Sequence, residues 1–151
     1  MDEAALRKRF AGPWIGETQG CESPAHLWSL SDAGSRLFIR TSWEGEDDDV
    51  NGFDANMIDV AGLPAFHICN GAPDEGVGVL VDAHHFIIPR WDTKDTRGNN
   101  GPDFDVVFSR PGVAELNARD IWRNFAGSEI YHAVLQRNIK PKAKRKRAAR
   151  A

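Results

Sequence analysis

Five histidines are the side chains of this chain that could do acid–base chemistry or bind a metal. They are His26, His67, His84, His85 and His132. A neutral imidazole can ligate iron or zinc and can exchange a proton near neutral pH. Because neighbouring side chains of a strand point to opposite faces, the adjacent His84 and His85 cannot act as a pair. No spacing resembles a zinc site, so the sequence predicts no metal site. His84 with Asp82 or Asp92 is the pair that could do acid–base work on a bound ligand.

Tryptophan is frequent for a chain of 151 residues. The five are Trp14, Trp28, Trp43, Trp91 and Trp122. An indole offers a large flat apolar surface with one N–H donor, which suits the wall of a pocket for a ring-shaped or amphipathic ligand. The same side chain also fills cores and plugs the ends of barrels. We predict ligand contacts for Trp28, Trp43 and Trp91.

Arginines within predicted strands are a second source of ligand contacts. An inward guanidinium could hold a ligand carboxylate through two hydrogen bonds, whereas an outward one belongs to a solvated face. We favour the outward orientation, but Arg40 and Arg90 stay among the candidate ligand-binding residues, together with His84 and His132. The sequence has no Gly-x-Ser-x-Gly elbow and no phosphate loop, and neither cysteine lies in a nucleophile motif, so no catalytic residue is assigned.

Alternation of apolar and polar residues predicts the strands that would position these side chains. His26 to Leu30 and Arg36 to Trp43 alternate on either side of the turn residues 31–34, which is typical of a hairpin. Residues 2–10 predict a short helix that lids one end of the fold, with Leu6 and Phe10 on one face. The other predicted strands are 53–60, 64–70, 77–81, 84–91, 104–110, 113–119 and 129–137, with an acidic loop at 44–54 and a long loop at 93–103.

Nine or ten strands joined by short connections favour an all-β fold, an up-and-down antiparallel barrel. A meander of this length removes its exposed edges by closing on itself, and a β-sandwich is the alternative. A closed barrel of this size has room inside for side chains or one small ligand. Alternation alone does not fix which face of each strand points inward.

The first predicted strand, GPWIGETQG from Gly12 to Gly20, has an unusual face. Trp14 and Thr18 share it with three glycines, which predicts a steeply coiled strand at the barrel closure with Trp14 plugging one end. Gly12-Pro13-Trp14 resembles the Gly-x-Trp opening of the calycins, the lipocalin-like barrels. The further Gly16 and Gly20 resemble the opening of the nitrobindin-like branch, whose members are small barrels that bind haem. That branch has a glycine where this chain has Thr18.

A second stretch, Ala133-x-Leu135-x-Arg137, resembles the last strand of the nitrobindin-like proteins. That resemblance implies haem as the ligand. It places the position of the family's haem-ligating histidine on Ile130, and the nearest histidine is His132, two residues along on the same face of the predicted strand. His132 is therefore the haem-ligand candidate. The Thr-Asp-Tyr motif of true lipocalins is absent.

Composition and charge set the wider frame. A chain with 41% hydrophobic and 27% charged residues can form one soluble domain with a sizeable core. It has no apolar run of bilayer length and no apolar signal-peptide segment after Met1, so we expect a cytoplasmic protein. Cys21 and Cys69 are expected to be buried thiols rather than a disulfide.

The charge is unevenly distributed along the chain. The net charge is −3, yet residues 140–151 carry seven basic side chains and no acidic one. The remaining chain, with twelve basic and twenty-two acidic residues, carries −10. We expect residues 1–139 to form the barrel domain and residues 140–151 to form a disordered basic tail.

Three functions follow as hypotheses. The first is binding of a small, partly apolar molecule inside a lipocalin-like barrel, with haem as the ligand that the resemblance implies. The second is an enzyme on the same barrel, an isomerase or hydrolase that uses a His/Asp pair. The third is association with nucleic acid through the tail, for which a plain solubilising role is the simpler explanation. Binding without catalysis is the reading the motifs favour, and the oligomeric state, including a homodimer, stays open.

Overall fold

The structure is a computed structural model in which residues 2–68, 76–92, 104–113, 116–136 and 140–141 are described. The side chains of residues 47–49, 92, 116 and 140–141 lie outside the description, as do Cys69 and most of the tail. The elements in chain order are α1 (Glu3–Phe10), β1 (Gly12–Thr18), β2 (His26–Asp32), β3 (Leu37–Trp43), β4 (Glu46–Val60), β5 (Leu63–Ile68), β6 (Gly76–Asp82), β7 (His85–Asp92), β8 (Phe104–Ser109), α2 (Leu116–Ala126), α3 (Glu129–Leu135) and β9 (Lys140–Pro141).

Eight strands, β1 to β8, close into an antiparallel up-and-down barrel. Their order is β3-β2-β1-β8-β7-β6-β5-β4, and pairing of β3 with β4 completes the ring. β1 pairs with β8, and Gly16 lies opposite Phe108 in this pairing. The two-residue strand β9 pairs with β4 at Ile58 and Asp59. The barrel and its meander topology were both predicted from the sequence, and closure leaves β1 to β8 with a neighbour on each side.

The interior is filled by the inward face of each strand. In β1 the buried side is Trp14, Gly16 and Thr18, so the glycine face points inward and Glu17 points to solvent. A Cβ added to Gly16 would lie 2.5 Å from the Phe108 ring, which explains why this inward position carries no side chain. Phe86 stacks on Phe108 with ring centroids 4.6 Å apart, and together they form the middle of the core.

One end of the barrel, called here the closed end, is covered by α1. Phe10 is fully buried against Phe66 and Phe86, with ring centroids 5.1 Å and 5.8 Å away. The indole Nε1 of Trp14 donates to the Phe10 carbonyl at 2.7 Å, and the guanidinium of Arg110 lies 3.9 Å from the centre of that indole. Trp14 is therefore the plug that the first strand predicted.

An ion pair fixes α1 in this position. The buried Arg7 donates from Nε to Asp32 Oδ1 at 2.7 Å and from a terminal nitrogen to the Gly34 carbonyl at 2.6 Å. The backbone N–H of Gly34 and the Arg7 side chain lower the pKa of Asp32. The helix begins at its N-cap Asp2, whose carboxylate accepts the N–H of Ala5.

Two helices, α2 and α3, pack on the outer wall, and here three predictions were wrong. Residues 116–119 and 129–135 were expected in strands but lie in these helices, and residues 46–52 form the first part of the long strand β4 instead of an acidic loop. Helical spacing of Ala118, Trp122 and Phe125 explains α2, because these side chains pack on the outward residues of the barrel. The Ser128 hydroxyl accepts the Tyr131 N–H and begins α3.

The side chains that α2 and α3 pack against this wall form a second hydrophobic core outside the barrel. Its outward strand residues include Val79, Ile87 and Val107, and Val134 covers them from α3. No helix in the described part of the chain is both long and apolar enough to cross a bilayer.

Candidate ligand-binding mouth of the barrel

The barrel end opposite α1 is called here the mouth. β1 ends there at Thr18, β2 begins there at His26, and the turn between β3 and β4 lies there at residues 44–45. The chain also leaves and re-enters the barrel at this end between Ile68 and Gly76 and between residues 92 and 104, since β5 and β7 end there and β6 and β8 begin there. Four of the described inward residues near the mouth are only half-buried, whereas the inward residues nearer α1 are buried. The four are Thr41, Trp43, Phe53 and Trp91.

Three aromatic side chains form the walls and floor of the mouth. The buried Trp28 meets the half-buried Trp91 at 5.6 Å between ring centroids, with the ring planes at 84°. Phe53 meets Trp91 at 6.0 Å and 88°. Trp28 rests on Phe108 at 4.4 Å. Near-perpendicular rings above a buried floor give the mouth flat apolar surfaces facing several directions, as pockets for ring-shaped ligands have.

His26 is the polar group of this aromatic cluster. It is 3% exposed, and its ring centre lies 4.3 Å from that of Trp43, tilted by 37°. Its Nε2 lies 3.3 Å from the Thr18 hydroxyl, which accepts a hydrogen bond from Ser23 Oγ at 3.1 Å. All five histidines are in the described part of the chain, and His26 is the one that lies inward among the Trp and Phe rings.

The candidate set from the sequence omitted His26. The signal was present, because His26 alternates with Trp28 and Leu30 along β2 and all three prove to be buried. If Trp28 points into the barrel, His26 must point inward as well, because residues two apart in a strand lie on the same face.

Trp91 reaches the mouth because β7 is irregular. Phe86 and Ile88 point inward, so strict alternation would turn Arg90 inward and Trp91 outward. Instead, Arg90 has a φ of 54° and the register of β7 with β8 shifts between Ile88 and Asp92. Between these positions β7 advances four residues while β8 advances two. This bulge breaks the alternation, so Trp91 packs inside the barrel and Arg90 is exposed outside it.

A buried carboxylate, that of Asp105, holds the bulge and ties it to the helices. Its Oδ1 accepts the Arg90 N–H at 2.9 Å. Its Oδ2 accepts Trp122 Nε1 at 2.7 Å and the Tyr131 hydroxyl at 2.8 Å. Burial, followed by the hydrogen bond to Asp105 and its charge, raises the pKa of Tyr131 to about 12. The position of Trp91 is thus linked to α2 and α3 through one side chain.

The structure brings together only some of the candidate residues. Trp28, Trp43 and Trp91 lie at the mouth, within one aromatic cluster with His26. The remaining candidates lie elsewhere, exposed: Arg40 on the outer face of β3, Arg90 outside the bulge, His84 in the turn between β6 and β7, and His132 on α3.

His132 does not fit the haem site that the resemblance implied. Ala133 and Leu135 lie in the helix α3 rather than in a last strand, and Arg137 lies outside the described residues. His132 is exposed on that helix, on the outer side of the barrel wall. An axial ligand needs a ring nitrogen aimed at the bound iron from inside the pocket. His132 does not meet that requirement.

A His/Asp pair does exist, but with a different histidine and at the other end of the barrel. His85 Nδ1 lies 2.9 Å from Asp82 Oδ1, which also accepts the backbone N–H of His84. Burial acts to raise the pKa of Asp82, but these hydrogen bonds outweigh it and lower that pKa. His85 Nε2 is buried and makes no hydrogen bond within the described residues. The prediction that His84 pairs with Asp82 is thus corrected, and the Asp92 side chain lies outside the description.

A cleft on the outer wall, of about 320 Å³, lies between β1 and the start of α2. Ile15, Glu17, Ser109 and Ala118 line it, together with Arg110. The Arg110 guanidinium already donates to the carbonyls of Pro13 and Arg9. Among the described residues, no aromatic side chain lines this cleft, whereas several aromatic rings cluster at the mouth.

Comparison with protein-family models finds no matching family, and comparisons with curated proteins and with solved structures find no match either. The closed eight-stranded antiparallel barrel is consistent with a calycin-like fold. The geometry of the mouth is therefore what an assignment of function has to rest on.

Proposed function

We propose that this protein binds a small, flat, partly apolar molecule at the mouth of a calycin-like barrel. The observation that carries the proposal is that two inward indoles, Trp43 on β3 and Trp91 on β7, are only half-buried, and that Trp91 contacts the buried Trp28. Inward aromatic residues nearer α1, such as Phe86, are fully buried by other side chains. Inside the barrel, the uncovered indole surface is therefore at the mouth.

Covering that surface supplies binding free energy. Apolar area removed from water stabilises a complex by about 25 cal/mol per Å², so a ligand that covers about 100 Å² of indole gains about 2.5 kcal/mol before the costs of immobilisation. The polar chain from Ser23 through Thr18 to His26 adds a place where one polar atom of the ligand could be oriented. These features suit an amphipathic ring system.

Binding without catalysis is the better-supported function. An enzyme on this barrel needs titratable groups that converge on the ligand. The His85 and Asp82 pair lies on the outer wall near the closed end, away from the mouth. The basic tail stays a separate prediction, which a loss of salt-sensitive nucleic-acid binding on deletion of residues 142–151 would test.

The test is calorimetric titration of the purified protein with quinoline, a flat bicyclic probe. Trp43→Ala and Trp91→Ala should each weaken binding about tenfold, because each removes part of the wall. Phe38→Ala is the matched control, since Phe38 is an aromatic residue exposed on the outer face of β3. Equal affinity of all four proteins, or a loss confined to Phe38→Ala, would refute the proposal. Haemin should show no sharp Soret band that depends on His132.

A further inference from the structure

The two ends of the barrel differ in charge. The described side chains of the segments at the mouth, 19–25, 44–46 and 50–51, include three carboxylates, those of Glu22, Glu44 and Glu46, and no basic group. The segments at the closed end, 2–11, 33–36, 61–62, 83–84 and 110–113, carry two acidic and five basic residues. A rim of one sign raises the local concentration of ligands of the opposite sign.

Glu46 brings a carboxylate to the inner rim. It is the direct cross-strand partner of Trp43 in the hairpin of β3 and β4. Residues directly opposite each other in an antiparallel pair project on the same face, so Glu46 shares the face of the inward Trp43. It is exposed, as is the neighbouring Glu44 in the turn.

The aromatic walls favour the same sign of charge. The face of an indole or phenyl ring is electronegative and attracts a cation held within about 6 Å of its centre. The planes of Trp28 and Trp91 meet at 84°, and those of Phe53 and Trp91 meet at 88°. Rings at these distances touch edge to face, so a cationic ring would stack on the uncovered part of the half-buried Trp91 or Trp43 rather than between two rings.

From these three observations we infer that the mouth takes a flat organic cation, an aromatic ring that carries a quaternary or protonated nitrogen. This rests on the binding function proposed above and narrows its ligand class. The rings supply the apolar contact and the cation–π attraction, Glu46 supplies an anion at the rim, and the acidic mouth draws the cation in. An anionic ring of the same shape meets repulsion at each of these steps.

Three probes of one shape test the inference: 1-methylquinolinium as the cation, quinoline as the neutral ring, and quinoline-4-carboxylate as the anion. Titrated into the full chain at low salt and pH 8, the cation should bind about tenfold more tightly than quinoline, and the anion more weakly than either. Raising the salt concentration should weaken binding of the cation and leave the affinity for quinoline unchanged, because salt screens only the electrostatic contribution.

Variants separate the charge from the rings. Glu46→Lys should weaken binding of 1-methylquinolinium about fivefold at low salt and leave the affinity for quinoline unchanged. Asp54→Lys is the matched control, the same charge reversal on the same strand but nearer the closed end, where Asp54 pairs with Arg36 on the surface. Trp43→Phe should keep much of the preference for the cation, whereas Trp43→Leu should lose it. Near-UV circular dichroism confirms that each variant folds.

The outcomes separate a failure of the cation inference from a failure of the proposed binding function. If quinoline binds as tightly as 1-methylquinolinium, or if Glu46→Lys and Asp54→Lys act alike, the cation inference is overturned while the mouth stays a binding site. If none of the three probes binds, the proposed function fails as well.

Discussion

The carboxylate of Asp105 and the backbone of Arg90 are joined by a 2.9 Å hydrogen bond, from the Arg90 N–H to Oδ1. Arg90 has the positive φ of 54° that a side-chain-bearing residue rarely adopts, and this bond helps to hold it there. The consequence is that Trp91 turns into the mouth. A side chain on the outer wall thus positions an inward side chain at the mouth of the barrel.

Asp105→Asn should destabilise the protein by about 2 kcal/mol. The amide keeps one acceptor oxygen, but its NH2 group cannot accept the remaining hydrogen bonds of this buried cluster. Urea unfolding measures the change. Asp120→Asn, an exposed residue of α2, should change stability by less than about 0.5 kcal/mol. Equal effects of the two substitutions would contradict the role of Asp105.

The bulge can be tested at Arg90 itself. Arg90→Gly should leave stability unchanged or raise it by up to about 1 kcal/mol, because glycine adopts positive φ without strain. Arg90→Val should lower it by about 1 to 2 kcal/mol, since a β-branched residue resists this conformation. Both variants remove the guanidinium, so equal stability of the two would contradict the backbone explanation. Ligand affinity of Arg90→Gly should match that of the unsubstituted protein, because the side chain lies outside the mouth.

Tyr131 should make stability fall at high pH. Its pKa is raised from an ordinary value of 10 to about 12 in the folded protein. A raised pKa means that folding favours the neutral phenol, so its contribution is fully present below pH 10 and is lost as pH rises towards 12. The chain has a single tyrosine, so tyrosinate absorption reports this group alone. A midpoint near pH 10 in the folded state would contradict the buried contact with Asp105, and Tyr131→Phe should remove this absorption change.

Close packing against glycines on the inner wall predicts a steric effect. Gly78→Ala would place a Cβ against the Phe66 ring, and Gly16→Ala would place one 2.5 Å from Phe108. Each should destabilise the protein by about 1 to 3 kcal/mol, because a full core has no room to shift. Gly127→Ala is the control, since its Cβ would meet only a backbone oxygen 3.9 Å away and should cost nothing. Thermal unfolding of the three variants gives the comparison.

Much of the barrel was predictable because its strands alternate. The pattern of β2 and β3 placed Trp28, Leu30 and Ile39 on one face, and these residues are buried together in the barrel core. The glycines of β1 pointed to a closure plugged by Trp14, and the structure has it there.

The errors came from segments where local pattern is ambiguous or overridden. Residues 129–135 show a weak alternation that resembles a strand. Tyr131 and Val134, three residues apart, also fit one face of a helix that covers the outer wall. Nothing in the local sequence predicts the bulge at Arg90, because its stabilising partner, Asp105, is fifteen residues away. Arg90 was therefore kept among the ligand-binding candidates with its orientation open, and Trp91 was chosen for its type rather than its register.

The most direct test of the binding mouth uses the five tryptophans as reporters. Protein labelled with 5-fluorotryptophan, with its five signals assigned by single Trp→Phe substitutions, is titrated with 1-methylquinolinium and with quinoline while 19F spectra are recorded. If the mouth binds flat aromatic molecules, the signals of Trp28, Trp43 and Trp91 shift in a saturable way. Those of Trp14, under α1, and Trp122, on the outer wall, should stay in place. Saturable shifts confined to Trp14 or Trp122, or no shift with either probe, would contradict the account.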